Sequence, residues 1–172
     1  MERFRPDMYQ KSIFTINYQK LKELQIKCLL FDLDNTLCTY QDSVPSTEVK
    51  ELFHMLEKDF KIIIFSNSTK KRLTPFKDIL NVDTAYSSRK PFKSKYLKIM
   101  RIYKLKPEEI ACIGDQLMTD IWGANKMGCM SIFVNSIGPN EPPWTKFNRI
   151  WEKIILRKFS KRGILEKGKY YD

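Results

Sequence analysis

The stretch Cys28-Leu29-Leu30-Phe31-Asp32-Leu33-Asp34-Asn35-Thr36-Leu37 decides how this chain is read. Four apolar residues run straight into two aspartates, the pattern of a strand covered on both faces that ends in a polar loop. Residues two apart on a strand point the same way, so Asp32 and Asp34 are expected to converge on one small volume. Like charges brought that close are costly unless something positive sits between them. Oxygen-only ligands favour Mg²⁺ for that place. Taken alone, the stretch also fits a solvated turn, because Asp-Asn-Thr is turn-friendly.

Outward from this stretch, short β-rich runs alternate with helical periodicity. The runs are Lys27 to Asp32, Lys61 to Ser66, Thr84 to Ser87, Ile110 to Gly114 and Met130 to Val134. Helical patterns fall at Tyr18 to Leu24, Thr47 to Lys58, Lys70 to Leu80, Phe92 to Tyr103 and Thr119 to Met127. This alternation predicts a three-layer, doubly wound α/β fold with a mainly parallel sheet. Pro91 is expected in the first turn of its helix, where a missing N–H costs nothing, and Gly128 as a left-handed cap.

Three further signals sit at strand ends, where open α/β sheets place their ligands. Ile62-Ile63-Ile64-Phe65-Ser66-Asn67 delivers a hydroxyl beside backbone N–H groups able to hold a phosphoryl oxygen, although Ser-Asn is also a common helix cap. Arg89-Lys90-Pro91 offers, at Lys90, a compact positive charge for phosphate or carboxylate. Ile110 to Gly114 runs into Asp115, with Asp120 five residues on, where an ordinary acid at a helix N-terminus is the alternative. Gly114 permits close backbone approach.

Composition bounds the remaining possibilities. With 172 residues and 42% hydrophobic content, the chain fits a single domain over 1–172, its core at about 25–137 and a basic C-terminal stretch at about 144–172. No unbroken apolar run exceeds four residues, so no segment can span a bilayer, and the start shows no signal-peptide pattern; cytoplasmic residence is expected. The single histidine, His54, excludes a Ser-His-Asp triad among distant motifs and zinc sites built on several histidines. Cys28, Cys38, Cys112 and Cys129 form no C-x-x-C pair and read as reduced thiols. Chemistry here must run mainly on carboxylates.

Taken together and in this order, D-x-D-x-T, S-N, K-P and G-D-x-x-x-x-D resemble the haloacid dehalogenase (HAD) superfamily of aspartate-nucleophile phosphatases, over roughly residues 25 to 135. The resemblance implies phosphoryl transfer in two steps through an aspartyl-phosphate. Asp32 is then the nucleophile and Asp34 the acid and base. Mg²⁺ is held by the Asp32 carboxylate, the Asp34 backbone carbonyl and Asp115, with Asp120 in support. Ser66 and the amide of Asn67 hold phosphoryl oxygens, Lys90 offsets the negative charge, and Thr36 orients the loop. From Tyr9-Gln10-Lys11-Ser12-Ile13 through the Asp32 loop to Gly138-Pro139, the chain looks like the YqeG-type branch of subclass III (IIIA) HAD phosphatases. That branch is allied to mitochondrial phosphatidylglycerophosphate phosphatases, which implies dephosphorylation of phosphatidylglycerophosphate to phosphatidylglycerol at the inner face of the membrane.

Spacing bears on access. Asp34 and Ser66 are 32 residues apart and Ser66 and Lys90 are 24 apart, each span consumed by one helix and one strand. No cap domain fits, so the pocket should be open and suited to a phosphate on something bulky: a protein, a nucleic-acid end or a lipid headgroup.

The charge pattern adds to this. Formal charge is +11, and from Lys146 onward nine basic residues face three acidic ones. On a helical wheel Trp144, Phe147, Ile150, Trp151, Ile154, Ile155 and Phe159 share one side, with Lys146, Arg149, Lys153 and Arg157 opposite. A basic amphipathic helix of this kind is expected to make peripheral membrane contact with anionic lipid through those four cations, or to pack its apolar side on the sheet. Phosphatase action on nucleic-acid ends or phosphoprotein, and non-catalytic RNA or ribosome binding, are the rival readings.

Overall fold

The computed structural model describes residues 1–138 and 145–172, the side chains of 145–147 excepted. The turn-rich stretch from Pro139 to Pro143, Trp144, and the side chains of Lys146 and Phe147 therefore lie outside the described residues.

Six parallel strands form one sheet: β1 (Met8–Gln10), β2 (Cys28–Phe31), β3 (Lys61–Phe65), β4 (Asp83–Ala85), β5 (Ile110–Gly114) and β6 (Met130–Val134), in the order β1-β6-β5-β2-β3-β4. The helices are α1 (Tyr18–Glu23), α2 (Thr47–Leu56), α3 (Lys70–Leu80), α4 (Ser94–Tyr103), α5 (Trp122–Met127) and α6 (Thr145–Lys161). Alternation along the strands divides the core. Leu29, Phe31, Ile62, Ile64, Ala111 and Ile113 pack with Leu21, Leu52, Phe53, Leu73 and Phe76 of α1 to α3. Their neighbours Cys28, Leu30, Ile63, Phe65, Ile110 and Cys112 pack on the other face with Tyr96, Ile99 and Ala124 of α4 and α5. Both faces are covered, which is why the central strands are apolar without interruption. No domain is inserted between β2 and β3 or between β3 and β4.

Register brings the strand ends level. Phe31 pairs with Ile64 on one side and Ile113 on the other, so Asp32, Ser66 and Asp115 leave the sheet at adjacent points. The chain runs from β2 outward to β4, then crosses to β5 on the other side of β2. The cleft between β2 and β5 is thus the topological switch point, where such sheets open to ligands.

Two expectations need correction. Strand β1 showed no sequence signal: three residues are too short to reveal periodicity, and it exists because β6 and the chain's end supply its partners. Tyr9 exchanges two 2.9 Å backbone hydrogen bonds with Tyr171, which covers this sheet edge. Pro91 does not open a helix either. The Lys90 amide donates to Asn67 Oδ1 at 2.7 Å and the Phe92 amide closes a turn onto the Arg89 carbonyl, so α4 starts only at Ser94. Gly128 does cap α5 in the left-handed conformation, at φ 74°.

A third group of side chains ties the C-terminal region to the sheet: Phe4, Tyr9, Leu117, Ile121, Phe133, Ile155, Phe159 and Leu165. Phe159 is wholly buried. Phe159→Ala should lower stability by about 3–5 kcal/mol, read from urea denaturation.

Candidate active site

Each strand end contributes differently to the cleft. Asp32 follows β2 directly, its amide donating to Ile113 O of β5 at 2.9 Å. The loop then turns sharply: Asn35 is left-handed at φ 65°, a conformation Asn tolerates, and Leu33 O accepts the amides of Leu37 at 2.9 Å and of Thr36 and Cys38 at 3.3 Å. After β5, residues Leu117–Ile121 form a π-helical turn that leads into α5 and carries Asp120 back toward the strand. Gly114 makes this return possible, because a Cβ there would lie 2.3 Å from Asp120 Cγ.

The outcome is a cluster in which Asp32, Asp115 and Asp120 each offer an oxygen within 4.8 Å of the others. Lys90 Nζ sits among them, 2.7 Å from Asp32 Oδ1, 2.5 Å from Asp120 Oδ1 and 2.8 Å from Phe65 O. Its three donors are all used, on a side chain that is 3% exposed. Burial pulls the Lys90 ammonium toward neutrality, but Asp120 and Asp32 outweigh this and hold it charged. Asn67 aims this lysine: Oδ1 accepts the Lys90 amide and, at 2.8 Å, the Ser88 hydroxyl.

Burial pushes the Asp32 carboxyl up to about 8, with Lys90 pulling against the rise and Asp120 and Asp115 adding to it. Burial likewise raises Asp115 to about 7, opposed by Arg149 and reinforced by Asp120. Both carboxyls thus bind protons more tightly folded than unfolded. Their contribution to stability is full below about pH 4 and is lost as pH rises through about 7 to 8.

Asp34 stands apart from this cluster. The chain leaves β2 at Phe31, so two-residue alternation does not extend to Asp34, and its carboxylate turns the other way. Oδ1 accepts from Arg72 Nη2 at 2.9 Å and Nε at 3.1 Å, and Oδ2 from Ser68 Oγ at 2.5 Å. Arg72, in the first turn of α3, also donates to the carbonyls of Thr39 and Asp42 and so ties the loop to that helix. Sequence reading placed Arg72 in the helical pattern from Lys70 to Leu80 and gave it no role in the site. The available signal was position: an arginine three residues after the Thr69 cap points back toward the strand end.

Thr36 Oγ1 lies 3.4 Å from Asp115 Oδ1, and Ser66 Oγ accepts the Ser68 amide at 3.2 Å. Asp32, Asp34, Ser66, Asn67 and Lys90 line a cavity of about 310 Å³, joined by Tyr40, Ser68, Thr69, Arg72, Gln116, Thr119 and Asn148. The N-terminus of α3 faces this cavity, a favourable place for an anion. His54 is remote from it, on the surface against Glu57, and the four cysteines are free and buried.

Helix α6 departs from its expected orientation. Arg149, expected to face a membrane, points inward and pairs with Asp115 and Glu152. At 100° per residue Arg149, Glu152, Ile155, Leu156 and Phe159 share one arc, so two polar groups ride on the packed face. The apolar residues divide accordingly. Ile155 and Phe159 are buried, while Ile150 (59%), Trp151 (47%) and Ile154 (37%) are exposed beside the exposed Lys153 and Arg157. No helix among the described residues is long and apolar enough to cross a membrane.

Comparison with known proteins gives consistent results. The family model described as "Mitochondrial PGP phosphatase" matches residues 1–137. The Bacillus subtilis (strain 168) protein named "Probable phosphatase YqeG" is 35% identical over 164 residues, 95% of each chain. Among solved structures, the HAD-hydrolase YfnB of Bacillus subtilis bound to magnesium superposes with a TM-score of 0.54 at 18% identity, over 69% of this chain and 91% of that one. The cobalt-bound deoxy-D-mannose-octulosonate 8-phosphate phosphatase of Haemophilus influenzae does so with 0.53 at 17%, over 87% and 96%. A HAD-like family hydrolase from Porphyromonas gingivalis gives 0.55 at 16%, over 73% and 98%. At these identities the structures speak for the fold.

The contact between Gly114 and Asp120 is directly testable. Gly114→Ala should cost about 1–3 kcal/mol of stability in urea denaturation, because Asp120 has to move off Lys90 to admit the methyl group.

Proposed function

Since the chain belongs to the mitochondrial PGP phosphatase family and is a phosphatase of the HAD type, akin to YqeG, we propose that it dephosphorylates phosphatidylglycerophosphate to phosphatidylglycerol with Mg²⁺ as cofactor. The observation that carries this reading is the acid cluster around Lys90, of which Asp32 and Lys90 reach the cavity wall. Among the described residues, the carboxylates of Asp32, Asp115, Asp120 and Glu152 pair with two cations, Lys90 and Arg149, all of them buried or largely so. The two negative charges left over match one divalent cation, and the donors are all oxygens, which suits Mg²⁺.

Asp32 and Asp115 would hold the ion through side chains and Asp34 through its backbone carbonyl, with Asp120 in support. When bound, the ion supplies positive charge to the phosphoryl group and neutralises the carboxylates around it. An Asp32 oxygen attacks phosphorus as the bond to the leaving alkoxide breaks, and Asp34 delivers a proton to that alkoxide. Water then attacks the aspartyl-phosphate, gives its proton to Asp34, and restores the Asp32 carboxylate with release of phosphate. Lys90 lets the anionic nucleophile and the phosphate approach each other, while Ser66 and the Asn67 amide receive phosphoryl oxygens at the α3 N-terminus. Arg72 and Ser68 fix the Asp34 carboxylate. Thr36 orients the loop through its contact with Asp115.

The lipid assignment draws support from access. No domain is inserted between the strands that carry the site, and Asn148, in the same helix as the exposed Ile150, Trp151 and Ile154, lines the cavity. That apolar strip with Lys153 and Arg157 suits the surface of an anionic membrane. Phosphate release should therefore be seen from phosphatidylglycerophosphate vesicles and be abolished by Asp32→Asn or EDTA. Release from end-phosphorylated oligonucleotides alone would rule out the lipid substrate.

A second expectation follows from the raised carboxyls, which lose protons to make room for the ion. Mg²⁺ affinity should rise with pH through the range set by Asp115 at about 7 and Asp32 at about 8. Calorimetry in buffers of different ionisation enthalpy should register proton release. An affinity that is flat between about pH 6 and pH 9 would contradict the assignment.

A further inference from the structure

Helix α6 lies beyond the stretch matched by the family model, yet it grips a carboxylate of the site. Arg149 Nη2 donates to Asp115 Oδ2, and Nη1 donates to the Asp115 backbone carbonyl at 2.8 Å. One guanidinium thus holds both the side chain and the main chain of the same residue. Nη1 also reaches Glu152 Oε1 at 2.7 Å, and Glu152 Oε2 accepts the Leu117 amide at 2.8 Å, at the start of the π-helical turn that carries Asp120. The arginine is fixed from behind by a glutamate that is itself fixed to the turn.

From this geometry we infer that Arg149, braced by Glu152, is a positioning residue for Asp115, which makes α6 a working part of the cation site. The inference rests on the Mg²⁺ site proposed above. With Oδ2 engaged by the fork, the carboxylate cannot rotate freely, and Oδ1, 3.4 Å from the Thr36 hydroxyl, is the oxygen left for a cation. A planar, two-point donor suits this task and a lysine does not, because a single ammonium cannot span carboxylate and carbonyl in a fixed plane. Outer partners of this kind orient metal ligands and typically change metal affinity by about 10–100-fold when removed.

A merely structural role is the competing possibility, since the same pair also fastens α6 to the sheet. The two are separated by measuring Mn²⁺ binding to the full-length protein by calorimetry and by electron paramagnetic resonance, with folding checked by circular dichroism. The set comprises wild type, Asp115→Asn, Arg149→Met, Arg149→Lys and Glu152→Gln. Arg149→Met is expected to bind Mn²⁺ about 10–100-fold more weakly, with Arg149→Lys in between, and the metal KM should change more than kcat. Folded Arg149→Met with wild-type or tighter Mn²⁺ affinity would overturn the inference while leaving the cation site standing. Should Arg149→Met fail to fold, Arg149→Lys and Glu152→Gln decide by the same criterion. Wild type that binds no Mn²⁺, with Asp115→Asn indistinguishable from it, would overturn the site and the inference together.

Discussion

Three aspartate oxygens held within 4.8 Å of one another, two of them on buried residues, are an electrostatic liability, and the surrounding architecture is organised to sustain it. Lys90 bonds to two of the acids, offsets one of their two charges, and spends its third donor on the Phe65 carbonyl. Its own placement depends on Asn67, which staples the turn after β4 to the end of β3. Gly114 gives Asp120 the space to reach that lysine. Arg149 engages the third acid from a helix that follows β6. These contacts come from five separate parts of the chain, so the site exists only once the sheet is assembled.

Parallel strands make such convergence possible. Side-by-side strands in register end at the same level, and each following loop emerges over the same edge of the sheet. At the switch point between β2 and β5 the neighbouring loops diverge and leave a cleft. Asp34 shows the limit of the arrangement: three residues past the strand, it answers to α3 rather than to the sheet. Asp32 and Lys90 from the cluster and the Asp34–Arg72 pair therefore line one cavity while keeping separate partners.

Helix α6 joins two functions that its sequence seemed to set in opposition. Packing and exposure divide its residues by arc, so Ile155 and Phe159 enter the core while Ile150, Trp151 and Ile154 stay outside. The polar pair Arg149 and Glu152 travels with the buried face and is satisfied there by Asp115 and the Leu117 amide. A helix so anchored sets the orientation of its outer face relative to the cavity, which matters for a substrate presented by a surface.

Much of this was legible in the residues. Apolar runs ending in Asp32, Ser66 and Asp115 revealed the parallel sheet and the acids, because burial of a strand on both faces leaves an uninterrupted local signature. Lys90 was legible through its motif, though not the turn that aims it. What stayed hidden depended on contacts between distant segments. Strand β1 is too short to show a period and is defined by β6 and Tyr171. Arg72 and Asp34 are 38 residues apart, and Arg149 and Asp115 are 34 apart. Local spacing determines where a strand ends, because strand geometry repeats every two residues. Which cation then meets which acid was decided by helix packing on the finished sheet, since a charge pair forms where rigid elements bring its partners within hydrogen-bonding reach.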